Sequence, residues 1–90
     1  MNISLCEIVV SLMGHDKGNP FLVLAKEDGF LYLGDGKSRK AQKPKKKSIK
    51  HVDPTGRIDQ ALLEKLQTGG TLTNKEIRAA LKNSGFEKNY

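Results

Sequence analysis

The chain has a single cysteine and no tryptophan, and no apolar stretch reaches the ~20 residues that a membrane-spanning helix needs. With Cys6 alone, no disulfide can form within the chain, whereas secreted domains of this size usually carry a disulfide framework. The first residues, Met1-Asn2-Ile3-Ser4, hold no basic side chain, and Glu7 interrupts the first apolar stretch, so no secretory signal is expected. These absences point to a cytoplasmic protein. Cys6 has no basic neighbour to lower its pKa, which predicts a small buried hydrophobe in a strand and not a reactive thiol. His15 and His51, even taken with Cys6 and Asp16, lack the paired spacings of a zinc site. No serine stands in a recognisable nucleophile and base context. The expectation is therefore no enzyme, no metal and no cofactor.

Acidic residues are missing from one stretch in particular. Residues 37–50 include eight cationic side chains and no acid: Lys37, Arg39, Lys40, Lys43, Lys45, Lys46, Lys47 and Lys50. The rest of the chain does not share this bias. Residues 1–36 carry a net −3, residues 37–56 a net +7 and residues 57–90 a net +2, which accounts for the +6 of the whole. Charge concentrated in this way makes a patch, and a patch implies a polyanionic partner. The cations are mostly lysines, which act as point charges, so the run predicts phosphate affinity more than base readout. Arg39 alone is built for bidentate or stacking contacts. Membrane attachment has no support, because neither an amphipathic helix nor a lipidation site accompanies the run.

The first half of the sequence predicts short strands separated by glycine turns. Residues 6–12, 21–25 and 30–33 are rich in β-branched, leucine or aromatic residues, and Asp28-Gly29 suits the hairpin between the last two. Residues 48–52 alternate polar and apolar and predict a fourth strand. Strands at this spacing predict a small, strongly bent barrel. Phe21-Leu22-Val23-Leu24 and Phe30-Leu31-Tyr32-Leu33 are apolar at consecutive positions, so both faces of their hairpin require cover. The C-terminal third offers that cover. Ile58, Leu62 and Leu66 form one helical stripe ended by Gly69-Gly70. Thr73 and Glu76 match a capping box, Leu72 and Ile77 a hydrophobic staple, and Gly85 a left-handed helix end with Phe86 closing on Leu81. Residues 37–47 lack an apolar period and contain Pro44, which predicts a loop. The fold class is mainly β with C-terminal α: a barrel over residues 1–56 carrying a basic loop at 37–50, then a helical appendage over 57–90 packed on it.

Two segments stand out for chemistry. In the turn formed by Gly14, His15, Asp16, Lys17 and Gly18, paired glycines permit a tight bend whose backbone N–H groups approach a phosphate. The basic run is the second, with His51 at its end placed to touch phosphate or to cap a strand. Phe30 and Tyr32 share a strand face and are candidates for base stacking or for the core, without an RNP-type sequence around them.

The segment from Ile8 through Met13 into Gly14-His15-Asp16-Lys17-Gly18 resembles the KOW motif: an apolar strand, a glycine, two variable residues and Lys-Gly. Asp35-Gly36, Arg39-Lys40, Pro44-Lys45-Lys46-Lys47, Lys50-His51 and Thr55 extend the resemblance. So does the segment from Leu72-Thr73-Asn74-Lys75-Glu76 to Arg78. Together they are similar to the single-KOW large-subunit ribosomal proteins and their short bacterial relatives, over nearly the whole chain. The resemblance implies an SH3-like barrel, binding to structured and often ribosomal RNA, and docking on the ribosome beside ribosomal proteins. The RNA contacts it implies are Gly14, His15, Lys17 and Gly18 in the turn, and Lys37, Arg39, Lys40, Lys43, Lys45, Lys46, Lys47, Lys50 and His51 in and after the run. Some residues depart from the pattern: His15 stands where arginine is common, Val10 replaces a frequent basic residue, Cys6 occupies a usual glycine position, and Pro20 removes a backbone donor. More of the affinity is thereby expected from the 37–50 run. The alternative expectation is a protein-docking adaptor in transcription or ribosome assembly, with the Phe30/Tyr32 face as the contact.

Overall fold

A computed structural model describes residues 2–86. The chain forms β1 (Glu7–Ser11), β2 (Pro20–Glu27), β3 (Phe30–Gly34), β4 (Lys45–Ser48), a 3-10 turn (Ile49–His51), β5 (Val52–Ile58), α1 (Gln60–Gln67) and α2 (Asn74–Asn83). The strands make one antiparallel sheet in the order β4-β3-β2-β1-β5, so β4 and β5 are its edges. A mainly β domain with two following helices is what the sequence pattern predicts.

One predicted strand and one predicted loop are corrected, and Ile58, expected on the first helical stripe, ends β5 because α1 begins only at Gln60 after its Asp59 cap. Residues 48–52 do not form the predicted strand. The alternation there is interrupted by the 3-10 turn, where the Ser48 hydroxyl accepts from the Lys50 amide, and the next strand begins only at Val52. The predicted loop, conversely, ends in a strand: Lys45, Lys46 and Lys47 pair with Leu33, Tyr32 and Leu31. Lysine has little strand preference of its own, so cross-strand pairing supplies what local propensity does not. Cys6 also lies just outside β1. It is buried as expected, but it adopts φ 61°, a left-handed conformation that favours glycine. Its amide donates to the Val23 carbonyl and its carbonyl accepts from Asp59, which fixes it between the sheet and the start of α1.

Alternation along the strands divides the core in two. Val9, Phe21, Val23, Leu31, Leu33 and Val52 fill one face of the sheet with Ile3. Ile8 and Leu22 lie on the other face, where Leu62 of α1 and Ile77, Ala80 and Leu81 of α2 cover them. The double cover demanded by the consecutive apolar residues of β2 is thus provided by the helices. Both helices have side-chain caps. The Asp59 carboxylate accepts from the Leu62 amide, and Thr73 and Glu76 form the reciprocal capping box, with Lys65 pairing to Glu76 from the neighbouring helix. These contacts from Lys65 and from the Thr73 backbone hold the Glu76 carboxyl down at about 2.

Truncating a fully buried residue of the shared cluster tests whether sheet and helices form one unit. Ile77→Ala is expected to cost about 3 kcal/mol in urea unfolding. Helix ellipticity and the reactivity of the buried Cys6 thiol, whose pKa burial raises to about 11, should report the same single transition. Two separated transitions would show that the helices are an independent appendage.

Candidate nucleic-acid interface

The turn between β1 and β2 is closed by two backbone bonds, Ser11 amide to Asn19 carbonyl and Gly18 amide to Ser11 carbonyl. Within it, Lys17 donates to Gly14 and Asn19 donates to Asp16. Gly14 and Gly18 both take positive φ, as the sequence required. However, the amides of Lys17, Gly18 and Asn19 are all engaged inside the turn. The expected phosphate cradle of free N–H groups is therefore not formed by these three, because the turn uses them to hold its own shape.

What organises this corner is Asp16. Its Oδ2 accepts from Lys45 Nζ at 2.6 Å, and its Oδ1 accepts from Lys47 Nζ and Ser11 Oγ, both at 2.7 Å. Lys47 Nζ also donates to Ser11 Oγ at 2.6 Å and to the Met13 carbonyl at 2.8 Å, which satisfies all three of its protons. Burial works to raise the Asp16 carboxyl, but the hydrogen bonds from Lys45, Lys47 and Ser11 outweigh it and hold the group well below the usual carboxylate range. The strand alternation of β4 explains the arrangement. Lys45 and Lys47 share a face with their partners Leu33 and Leu31, the side on which both reach Asp16. Lys47, expected as a phosphate contact, is buried as a result, with its charge turned inward and paired with Asp16.

Lys46 points to the opposite side. Its Nζ lies 4.7 Å from the Phe30 ring centroid and 6.0 Å from that of Tyr32, and pairs with Glu27 at 3.3 Å. Tyr32 donates its hydroxyl to Glu27, whose pKa the Tyr32 and Lys46 contacts lower. Phe30 is 40% exposed, so this aromatic pair belongs to the surface more than to the core. The three consecutive lysines therefore do not share one surface.

Four cations of the run, Lys37, Arg39, Lys40 and Lys43, are exposed on the arm between β3 and β4. Lys50 is exposed on the 3-10 turn with His51, and Lys17 and His15 are exposed at the tip of the β1–β2 turn. Among the described residues, none of these six lysines and arginines takes part in an ion pair. The three segments are neighbours. Leu12 at the base of the turn donates to the His51 carbonyl at 2.9 Å, and a groove of about 220 Å³ is lined by His15 and Asn19 of the turn, Ser38 and Arg39 of the arm, and Lys45. Asp16 and Asp35 also line it, and the charge of Asp16 is compensated by its two lysines.

The arm owes its shape to residues outside the predicted site. Asp35 Oδ1 accepts from the amides of Lys37 and Arg39, and the Arg39 carbonyl accepts from Asp35 and Gly36. Asn74 and Arg78 of α2 bond to it as well. Neither these residues nor Asp16 and Ser11 carry a local signal of the role, because each acts on a segment far along the chain. No protein-family model matches the chain, and no curated protein matches it.

The ion pairs of Asp16 set an acid-stability prediction. The folded-state pKa lies below the unfolded value of about 3.9, so the stabilisation is complete above that value and is lost as pH falls toward the folded one. Asp16→Asn is expected to lower stability at neutral pH by about 2–3 kcal/mol, the lower end because Lys45 still meets solvent. It should also flatten stability against pH on the acid side. Urea midpoints from pH 7 down to pH 2 check this, and parallel curves for the two proteins would contradict it.

Proposed function

We propose that the chain is an RNA-binding protein of the KOW type that docks on structured, ribosomal RNA through the arm, the 3-10 turn and the β1–β2 turn. The observation that carries this reading is the set of six exposed cations, Lys17, Lys37, Arg39, Lys40, Lys43 and Lys50, on three adjoining segments and outside any ion pair among the described residues. Cations held side by side repel one another, and a phosphate backbone relieves the repulsion while releasing counterions. Lys45 and Lys47 have a different role: with Asp16 they fix the turn against β4, so that His15 is presented next to Ser38 and Arg39. The finer fold we propose is an SH3-like barrel. Its support is the strand order β4-β3-β2-β1-β5, with a 3-10 turn leading into the last strand.

A second reading is a protein-docking module, favoured by the exposed Phe30 beside Tyr32. Glu27 sits on that face with Lys46, so it offers phosphate little net charge. The two readings separate by mutation. For six phosphates neutralised, log K should fall against log salt with a slope of about −4. Replacing Lys37, Arg39, Lys40 and Lys43 by glutamine should reduce that slope to about −1 and weaken binding to ribosomal RNA at least tenfold. Phe30→Ala with Tyr32→Ala should leave both unchanged. Filter binding to ribosomal RNA fragments across a salt series makes the measurement, and wild-type binding that is indifferent to salt would refute the RNA reading.

A further inference from the structure

A lysine-rich segment with no apolar period would ordinarily be a mobile arm, but here it is fastened to α2. Asn74, the first residue of the helix, accepts the Ala41 amide on Oδ1 at 2.7 Å and donates from Nδ2 to Gln42 Oε1 at 3.0 Å. Arg78, one turn later, donates from Nη1 to the Gly36 carbonyl at 2.7 Å. Gly36 lies so close to the helix that a Cβ there would stand 2.5 Å from the Asn74 carbonyl oxygen and 2.8 Å from Arg78 Cγ, and its φ of +78° is one that side chains rarely adopt. Ala41 packs against the same cluster that buries Ile77 and Leu81. The helix therefore holds the arm at both its Gly36 end and its Ala41-Gln42 end, and Lys37, Arg39 and Lys40 stand between the two fastenings.

We propose that Asn74 and Arg78 are positioning residues that make the protein prefer RNA of rigid, folded shape over flexible single strands. This rests on the RNA-binding reading above. The physical reason is the cost of ordering. An arm already fixed loses little conformational freedom on meeting phosphates at fixed positions, whereas a free arm must be ordered during binding. A flexible strand adapts to either arm, so it gains nothing from the fastening. Neither residue needs to touch the RNA for this effect.

The test uses the full chain and the double variant Asn74→Ala with Arg78→Lys, which keeps the net charge. Binding is measured at one salt concentration to a ribosomal RNA stem-loop and to an oligouridine of equal length, with amide exchange followed at Ala41. The double variant should bind the stem-loop about tenfold more weakly, bind oligouridine as wild type does, and exchange the Ala41 proton faster. Asn74→Asp, which keeps an acceptor for Ala41, should restore the slow exchange. If the double variant unfolds, Asn74→Ala alone serves, because the Thr73–Glu76 capping box is untouched. Faster exchange at Ala41 with unchanged stem-loop affinity overturns this inference alone, as does an equal loss on both RNAs. A wild-type protein that binds neither RNA overturns the RNA reading as well.

Discussion

Strand β2 must be covered on both sides, and the rest of the molecule is arranged around that need. Phe21 and Val23 face one cluster and Leu22 faces the other, each fully buried. The face that carries Ile8 and Leu22 is covered by α1 and α2. Docking α2 over β2 brings its first turn beside the segment that leaves β3. The arm then has a surface to bond to, and a segment that composition alone would leave mobile becomes fixed. In this way a burial requirement in the core decides the geometry of a charged loop at the surface.

A second principle divides the lysines by role. A strand sends successive side chains to opposite faces, so once residues 45–47 pair with β3 they stop being a uniform patch. Two of them converge on Asp16, and one lies over Phe30 and Tyr32. The paired lysines serve structure: a buried ammonium needs a partner and full hydrogen bonding, and Lys47 has both. Among the described residues, the other cations of the run, Lys37, Arg39, Lys40, Lys43 and Lys50, lie exposed outside any ion pair, on the arm and the 3-10 turn. Density of charge along the sequence is therefore a poor guide to density of available charge on the surface.

Much of the fold was legible in the sequence because its signals are local. Apolar runs, the Asp28-Gly29 hairpin, the capping box at Thr73 and Glu76, the staple of Leu72 and Ile77 and the helix end at Gly85 each depend on neighbours a few residues away, and each appears where the pattern put it. Strand β4 was not legible, because Lys45-Lys46-Lys47 has no strand preference until β3 is beside it. The apparent strand at residues 48–52 misled for the complementary reason. Its alternation is real, but the chain turns there to enter β5. The positions of Gly14, Gly18 and the exposed cations were also readable, whereas the inward turn of Lys47 was not.

By itself the sequence determined the first three strands and the two C-terminal helices in their order, the double-sided burial of β2 and the concentration of positive charge in one segment. All of these follow from residue type and short-range spacing. Only the tertiary structure decided which charges remain available and how they are held. The bonds of Asp16 to Lys45 and Lys47 and those of α2 to Gly36, Ala41 and Gln42 join residues about 30 to 40 positions apart. No local pattern marks such pairs, because their energy appears only when folding has closed the loop between them.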